Sequence, residues 1–316
     1  MNEQPRAAIA ALMRPLVEPH IDGLDVTWFE NAEQAMEIAA NVEIGWFDMY
    51  DKPKMAEIIA AATNLKWLNS IYAGIEHFPV DALKERGTIV TNGAGINAIP
   101  IAEFVVMGML AAAKRLDTIL AAQGRNEWLS GPPGSGELFE SKILIIGYGA
   151  IGQQVAKTLS GFNADITAVR RTPVDDPNII TPDQWPARLG EFDWVILAAP
   201  ATGETQHMIG TDELAAMKTS GWLVNVARGS LVDQAALVEA LESKSIAGAV
   251  LDTVTPEPLP EDDSLWNAPN VMITSHLSGN STSRMFERAA RRFIDNLKRY
   301  QSGEEMVAVV DLKLGY

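Results

Sequence analysis

The strongest constraint on the fold is a glycine pattern that follows an apolar segment directly, in "IIGYGAIGQQ". The apolar residues before the pattern predict a strand, and "AIGQQVAKTL" predicts a helix immediately after it. At such a strand–turn–helix junction, a G-x-G-x-x-G loop lets the backbone approach a pyrophosphate at the N-terminus of a helix. The pattern therefore predicts a dinucleotide site formed by Gly147, Tyr148, Gly149, Ala150, Ile151 and Gly152.

The next predicted strand indicates which dinucleotide is expected. "DITAV" should end beside the adenosine ribose, where an acidic residue would bind the 2′-hydroxyl of NAD. Arg170 and Arg171 stand there instead, and Asp165 lies before the strand. Two guanidinium groups suit a 2′-phosphate, so NADPH is the expected cofactor, with NAD as the second choice. The alternative is a solvated arginine pair with no ligand.

Short β-like runs alternate with helical segments in both halves of the chain. The runs extend from "AAIAALM" to "TIVTNG" and then from "KILIIGYG" to "VMITSHL". Such alternation predicts an α/β protein with two doubly wound domains, each a parallel sheet covered by helices. One long helix is expected from about Pro100 to Gln123, and "TSRMFERAARRFIDNLKRYQSG" predicts a terminal helix that returns to the first domain.

Composition excludes several classes of function. The 316 residues are 47% hydrophobic, which is enough for two cores, but the longest apolar stretch contains Glu103 and is too short to span a membrane. The N-terminal segment predicts a buried strand rather than a signal peptide. A net charge of −16 argues against nucleic acid and anionic membranes as partners. The absence of cysteine excludes thiolate metal sites and fits a reducing compartment, so a cytoplasmic protein without a metal is expected.

Candidate acid and base groups are few, because the chain has four histidines. His276 follows the apolar "NVMIT" run, at the carboxyl end of a predicted strand, where open α/β sheets bind ligands. Glu257 follows another strand and could orient the imidazole and favour its charged form. Arg228 ends "LVNVARGS" and could pair with a substrate carboxylate. Taken singly, each of the three could equally be a solvated residue at a strand end.

The order of four motifs resembles the D-isomer-specific 2-hydroxyacid dehydrogenase family. The motifs are "GYGAIG", "NVARGSLVD", "GAVLDTVTPEPLP" and "NVMITSHLSG", and the likeness extends from about Ser70 to Gly279. The resemblance implies a Rossmann dinucleotide-binding domain at residues 99–280, inserted into a flavodoxin-like substrate domain at 1–98 and 281–316. It also implies that Arg228 binds a 2-oxo acid, while Glu257 and His276 form the pair that transfers the proton.

The resemblance assigns further residues by position. The substrate-binding loop matches "IYAGIE", where amides near Ala73, Gly74 and Ile75 would hold the substrate carboxylate. Asn92 lies in another matching segment. Specificity is expected from several loops, among them "GWFDMYD" and the region around Met285. Beyond the glycine loop and the arginine pair, the expected cofactor contacts are Ala199, Pro200, Val226, Ala227, Asp252 and Gly279.

The implied activity is NADPH-preferring reduction of a small 2-oxo acid, of the glyoxylate or hydroxypyruvate class, to the D-2-hydroxy acid. Oxidation of another D-2-hydroxy acid, such as phosphoglycerate, and a corepressor-like dinucleotide sensor are the alternatives. Formate dehydrogenases of this fold are disfavoured because they have glutamine in place of Glu257. A homodimer is expected through the apolar helix.

Two other positions bear on the resemblance. Ser275 replaces a proline common among relatives. Trp128 lies at a common tryptophan position, for which packing against its own domain is the simplest interpretation.

Overall fold

The computed structural model of the chain describes residues 4–313. The chain forms two compact units. Ala98–Asn280 is one, here named the inner unit, and the flanking segments that end at Asn97 and resume at Ser281 form the other, the outer unit. The chain thus leaves the outer unit once and returns to it once.

The outer unit is built on a parallel sheet. Its described strands are β1 Arg6–Ala10, β2 Asp25–Phe29, β3 Ile44–Trp46, β4 Trp67–Asn69 and β5 Ile89–Thr91. They lie in the order β2-β1-β3-β4-β5, which is the flavodoxin-like order. The helices before the inner unit are α1 Arg14–Val17, α2 Ala32–Ala39, α3 Lys52–Ala61 and α4 Val80–Arg86.

The inner unit contains a longer parallel sheet. Its described strands are β6 Lys142–Ile146, β7 Asp165–Val169, β8 Ile179–Ile180, β9 Trp194–Leu197, β10 Trp222–Asn225, β11 Gly248–Leu251 and β12 Val271–Ile273. The order β12-β11-β10-β9-β6-β7-β8 contains the Rossmann order, with the topological switch point between β6 and β9. Its helices are α5 Ala98–Lys114, α6 Leu116–Gly124, α7 Ala150–Leu159, α8 Thr211–Ala216 and α9 Gln234–Glu242. The predicted α/β fold with two doubly wound domains is confirmed.

The expectation of one long helix from about Pro100 to Gln123 is wrong, because the helix is interrupted at Arg115, between α5 and α6. Arg115 adopts a left-handed conformation with φ 53°. The carbonyl of Ala113 accepts the amide of Gly136, which returns from the glycine- and proline-rich loop. That carbonyl would otherwise accept an amide from the next helical turn. A contact with a distant segment therefore replaces the local helical bond.

The terminal helix α10, Thr282–Ser302, belongs to the outer unit, as predicted. Phe293 lies between two tryptophans of the sheet, with ring centroids 5.0 Å from those of both Trp46 and Trp67. Aromatic pairs of this kind contribute about 0.5–1.5 kcal/mol beyond the burial of their area. Across residues 4–313, no helix combines the length and the apolar character needed to cross a bilayer.

Candidate active site

The three glycines of the loop between β6 and α7 are each required, or tolerated, for a different structural reason. Gly147 has φ 104°, and a Cβ there would meet the backbone of Ala198 and Ala199. A Cβ on Gly152 would meet the carbonyl oxygen of Gly147, so this glycine allows α7 to approach the loop. Gly149 caps α7, and a Cβ there would meet nothing within 4 Å. Open space beside a helix N-terminus suits a pyrophosphate, so the loop fits a nicotinamide dinucleotide.

The predicted ribose site lies directly beside this loop. The amides of Gly147 and Tyr148 both donate to the carbonyl oxygen of Val169, the last residue of β7. Arg170 and Arg171 follow it and are exposed. Asp165 is the first residue of β7, at the opposite end of the strand from the arginines.

The other predicted cofactor contacts follow neighbouring strands. Ala199 and Pro200 come after β9, and Ala199 borders Gly147 at the switch point. Val226 and Ala227 come after β10 and are buried. Gly279 follows the His276 loop. Because the strands are parallel, all of these positions lie at the carboxyl edge of one sheet.

His276 and Glu257 meet in the structure. His276 Nδ1 lies 2.7 Å from Glu257 Oε2, a hydrogen-bonded contact between two partly exposed side chains. The other carboxylate oxygen, Oε1, accepts the amide of Val254 at 3.2 Å, which fixes the acid against the loop after β11. Glu257 thus occupies Nδ1 and leaves Nε2 as the ring nitrogen available to a ligand.

The loop that carries His276 is organised by Asp252. Ser275 and His276 both have positive φ, at 51° and 56°. The buried Asp252 carboxylate accepts the Thr274 hydroxyl at 2.6 Å and the Leu277 amide at 2.9 Å, and both the amide and the hydroxyl of Ser278. The Asp252 carbonyl oxygen accepts the His276 amide at 2.6 Å. The carboxylate of this predicted cofactor contact is therefore engaged by the histidine loop.

Arg228 follows β10, the strand beside β11. Its Nη1 donates to the carbonyl oxygen of Ala227 at 2.8 Å, and its own carbonyl oxygen accepts Asn225 Nδ2 at 2.9 Å. Asn225 is buried and also accepts the Ala227 amide. Asn225 was not among the predicted site residues, although an asparagine that ends a buried apolar strand is a signal for such a role.

The predicted substrate loop lies in the outer unit, after β4. Asp48, which follows β3, accepts the Ser70 hydroxyl and the Ile71 amide, each at 2.6 Å, and Trp46 Nε1 at 2.7 Å. Asn92 Nδ2 donates to the carbonyl oxygen of Ala73 at 2.6 Å. These bonds hold both ends of the segment that leads to Ala73, Gly74 and Ile75. Within the described residues, no group of three or more acidic or histidine side chains could hold a metal.

A family model decides the relationship that this geometry indicates. Residues 106–278 match the NAD-binding domain of the D-isomer-specific 2-hydroxyacid dehydrogenases. The chain belongs to this family. It is therefore an NAD(P)-dependent 2-hydroxyacid dehydrogenase or reductase, and the resemblance of its motifs is confirmed.

Similar proteins carry three related names. A glyoxylate reductase of Thermofilum pendens is 36% identical over 77% of this chain and 75% of its own. A glyoxylate/hydroxypyruvate reductase B of Pectobacterium carotovorum is 31% identical over 94% of this chain and 93% of its own. A D-3-phosphoglycerate dehydrogenase of Methanocaldococcus jannaschii is 32% identical over 81% of this chain, but the match spans only 49% of that longer protein.

Solved structures share the fold over nearly the whole chain. A family member from Xanthobacter autotrophicus, in complex with NADPH and MES, has a TM-score of 0.79 at 26% identity and covers 99% of this chain and 100% of its own. An NADPH-dependent glyoxylate/hydroxypyruvate reductase from Sinorhizobium meliloti, with NADP and malonate, has a TM-score of 0.74 at 25% identity, covering 99% and 98%. Both neighbours support a nicotinamide cofactor.

Proposed function

We propose that this enzyme is an NADPH-preferring reductase that converts a small 2-oxo acid, of the glyoxylate or hydroxypyruvate class, to the D-2-hydroxy acid. The observation that carries the proposal is the contact between His276 Nδ1 and Glu257 Oε2 at 2.7 Å. It fixes a protonatable ring at the carboxyl edge of the Rossmann sheet, where such folds bind ligands. Two relatives that match this chain over 75% and 93% of their own length are named reductases, which agrees with the proposal.

The proposed proton transfer uses this pair. When bound, the reduced nicotinamide supplies a hydride to the carbonyl carbon, so that negative charge develops on the carbonyl oxygen. His276 donates a proton from Nε2 to that oxygen and becomes neutral. Glu257 stabilises the imidazolium before transfer and holds the ring through Nδ1. The hydroxyl of the product therefore carries the histidine proton.

Arg228 and the substrate loop orient the substrate in this proposal. The Arg228 guanidinium binds the 2-oxo acid and polarises its carbonyl group, and the amides of Ala73, Gly74 and Ile75 bind its carboxylate. Neither interaction requires a metal. Binding of the substrate by such fixed groups lowers the entropic cost of the reaction.

The preference for NADPH rests on Arg170 and Arg171. Both follow Val169, whose carbonyl oxygen binds the amides of the glycine loop. A 2′-phosphate at this position would accept charge-assisted hydrogen bonds from the guanidinium groups, whereas a free 2′-hydroxyl would gain less. NAD is therefore the weaker cofactor.

The proposed assembly is a homodimer. Trp128 is 97% exposed, so its predicted packing against its own domain is wrong. Leu116, Ile119 and Leu120 form an exposed apolar stripe on α6 in the same unit. A second copy would cover such side chains. The proposed setting is the reducing cytoplasm, with small molecules rather than nucleic acid or membrane as partners.

The deciding experiment replaces the proton donor. His276→Ala should lower kcat for reduction of the best 2-oxo acid by roughly 10²–10⁴, the usual contribution of a general acid. Cofactor affinity should change little, because the glycine loop and the arginine pair bind the other end of the dinucleotide. Steady-state kinetics and a fluorescence titration with NADPH measure the two effects.

His276→Gln is the matched variant, since it keeps a hydrogen-bonding side chain but donates no proton efficiently. It should be as slow as His276→Ala. Near-parent rates in either variant, with NADPH bound normally, would favour the dinucleotide-sensor interpretation. Oxidation of phosphoglycerate without reduction of glyoxylate or hydroxypyruvate would instead favour the phosphoglycerate dehydrogenase activity named for one relative.

A further inference from the structure

Lys52 is a cation at an unfavourable position in the outer unit. It is the first residue of α3, just after the loop that follows β3. The N-terminus of a helix carries partial positive charge and favours anions, so a lysine there is disfavoured. Burial makes this worse and lowers the pKa of Lys52 to about 8. Through residues 4–313, no carboxylate lies within salt-bridge distance of its ammonium group.

The ammonium is nevertheless held in one place. Lys52 Nζ lies 2.8 Å from the centroid of the Tyr72 ring, and it donates to the carbonyl oxygen of Met49 at 3.3 Å. The Tyr72 hydroxyl donates to the same carbonyl oxygen at 3.1 Å. A cation over an aromatic face is attracted by the ring, which fixes the ammonium at this point. Three donors on the ammonium leave capacity for a further acceptor.

Asp48, the carboxylate whose charge acts on Lys52, has other partners. Asp48 accepts hydrogen bonds from Trp46, Ser70 and Ile71. Burial raises the pKa of Asp48, and its charge favours the protonated form of Lys52 from a distance. Asp48 therefore anchors the loop after β4, and it does not neutralise Lys52 by direct contact.

Lys52 lies beside the segment that carries the predicted substrate loop. Tyr72, which it covers, directly precedes Ala73, the first residue of that loop. Strands β3 and β4 are neighbours, and β3 borders the switch point of the outer sheet, between β1 and β3. Doubly wound sheets bind ligands at the carboxyl ends of strands beside such a switch point.

We propose that Lys52 binds a second anionic group of the substrate, while the amides of Ala73, Gly74 and Ile75 hold its 2-oxo carboxylate. This inference rests on the proposed function and extends its substrates to a further class: 2-oxo acids with a carboxylate or phosphate at the far end. Binding of that group would neutralise the positive charge of Lys52, which is unfavourable in the free protein because it is partly buried at a helix N-terminus. Glyoxylate, which lacks such a group, remains a substrate but does not use Lys52.

The test compares four substrates with NADPH. Glyoxylate and hydroxypyruvate have no second anion, oxaloacetate has a carboxylate, and phosphohydroxypyruvate has a phosphate. Lys52→Met should raise KM for the preferred anionic substrate about ten- to a hundredfold, the range for one charge-assisted hydrogen bond, with kcat within about twofold. KM for the two uncharged-chain substrates should stay within about twofold. Whether carboxylate or phosphate responds identifies the group.

Lys54→Met is the matched control. Lys54 lies on the same helix but pairs with Glu57 at 2.8 Å. Its replacement removes the same charge from α3 and should change none of the four KM values. An equal response to both variants would show a general effect of net charge and would overturn the inference.

The pH dependence gives a second readout. Lys52 is charged below its pKa of about 8, so the preference for oxaloacetate over glyoxylate in kcat/KM should be full below pH 8. It should fall as the pH rises above that value. The ratio cancels every pH dependence that the two substrates share. Lys52→Arg, whose guanidinium stays charged, should keep the preference and so separates Lys52 from the facing groups Asp48, Tyr50 and Tyr72.

Two outcomes separate this inference from the proposed function. Failure of the parent to reduce any 2-oxo acid would contradict the proposed function; binding of malonate, measured by calorimetry, then still tests Lys52, because its affinity should fall about tenfold in Lys52→Met and remain in Lys54→Met. Normal glyoxylate reduction together with equal KM changes for all four substrates, or with none, would assign Lys52 a structural role over Tyr72 only.

Discussion

The position of His276 depends on a left-handed backbone conformation that few residues other than glycine adopt. Ser275 and His276 are both left-handed, a conformation that costs roughly 1–2 kcal/mol per residue other than glycine. The bonds from Thr274, Leu277 and Ser278 to the Asp252 carboxylate offset that cost. The buried Asp252 therefore positions the imidazole through hydrogen bonds to the backbone and side chains of its loop. A proline in place of Ser275 could not adopt this positive φ, so the serine suits the loop of this chain.

At the same scale, Arg170 is expected to set the cofactor preference. Arg170→Asp should lower the ratio of kcat/KM for NADPH over NADH about ten- to a hundredfold, because the aspartate repels the 2′-phosphate and accepts the free 2′-hydroxyl. Initial rates with both cofactors measure the ratio.

Arg125→Asp is the control for this charge change, since Arg125 pairs with Glu127 at 2.7 Å outside the nucleotide loop. It should leave the ratio unaltered. Equal efficiency of the parent with NADPH and NADH would contradict the assignment of the arginine pair.

At the scale of elements, two glycines between β6 and α7 are expected to differ in role: one affects cofactor binding and the other affects stability. A Cβ at Gly149 meets nothing, whereas a Cβ at Gly152 meets the carbonyl oxygen of Gly147. Gly149→Ala should therefore keep the free energy of unfolding within about 1 kcal/mol of the parent's value and weaken NADPH binding about tenfold or more, since the methyl group enters the pyrophosphate space. Gly152→Ala should lower the free energy of unfolding by about 1–3 kcal/mol through the backbone clash.

Urea denaturation and NADPH titration of both variants measure these two effects. The glycine loop would not be the pyrophosphate site if Gly149→Ala bound NADPH as tightly as the parent. Similar stability of Gly152→Ala and the parent would contradict the close approach of α7.

Consecutive sequence motifs predicted these elements, whereas features that depend on contacts between distant segments were not predicted. The glycine loop was readable because its strand, turn and helix are consecutive, and Arg170 follows the next strand end. The break at Arg115 was not readable, since it depends on the bond from Gly136 to Ala113. Lys52 was also missed: its significance comes from Tyr72, which lies on a different strand–helix connection. Sequence spacing gave no distance between His276 and Glu257, although it placed both at strand ends.

At the scale of the whole molecule, each unit completes its own parallel sheet. The chain leaves the outer unit at Asn97 and returns at Ser281. Helix α10 then contributes Phe293 to the core of the outer unit. Sequence alternation predicted both sheets because most strands are followed by a helix within a short stretch. The surface is less predictable, since a solvent-exposed apolar side chain and a buried one look the same in the sequence.

The exposed apolar side chains of α6 carry the last prediction, which concerns assembly. Light scattering should report about twice the 34.3 kDa mass of one chain, because a second copy would cover Leu120 and Trp128. Leu120→Glu places a charge within this stripe and should shift the mass toward that of a single chain at micromolar concentration. Leu12→Glu is the matched control: Leu12 is 67% exposed but lies in the outer unit, so its replacement should leave the dimer intact. A monomeric parent, or a Leu120→Glu variant that stays dimeric, would show that α6 is not the contact between copies.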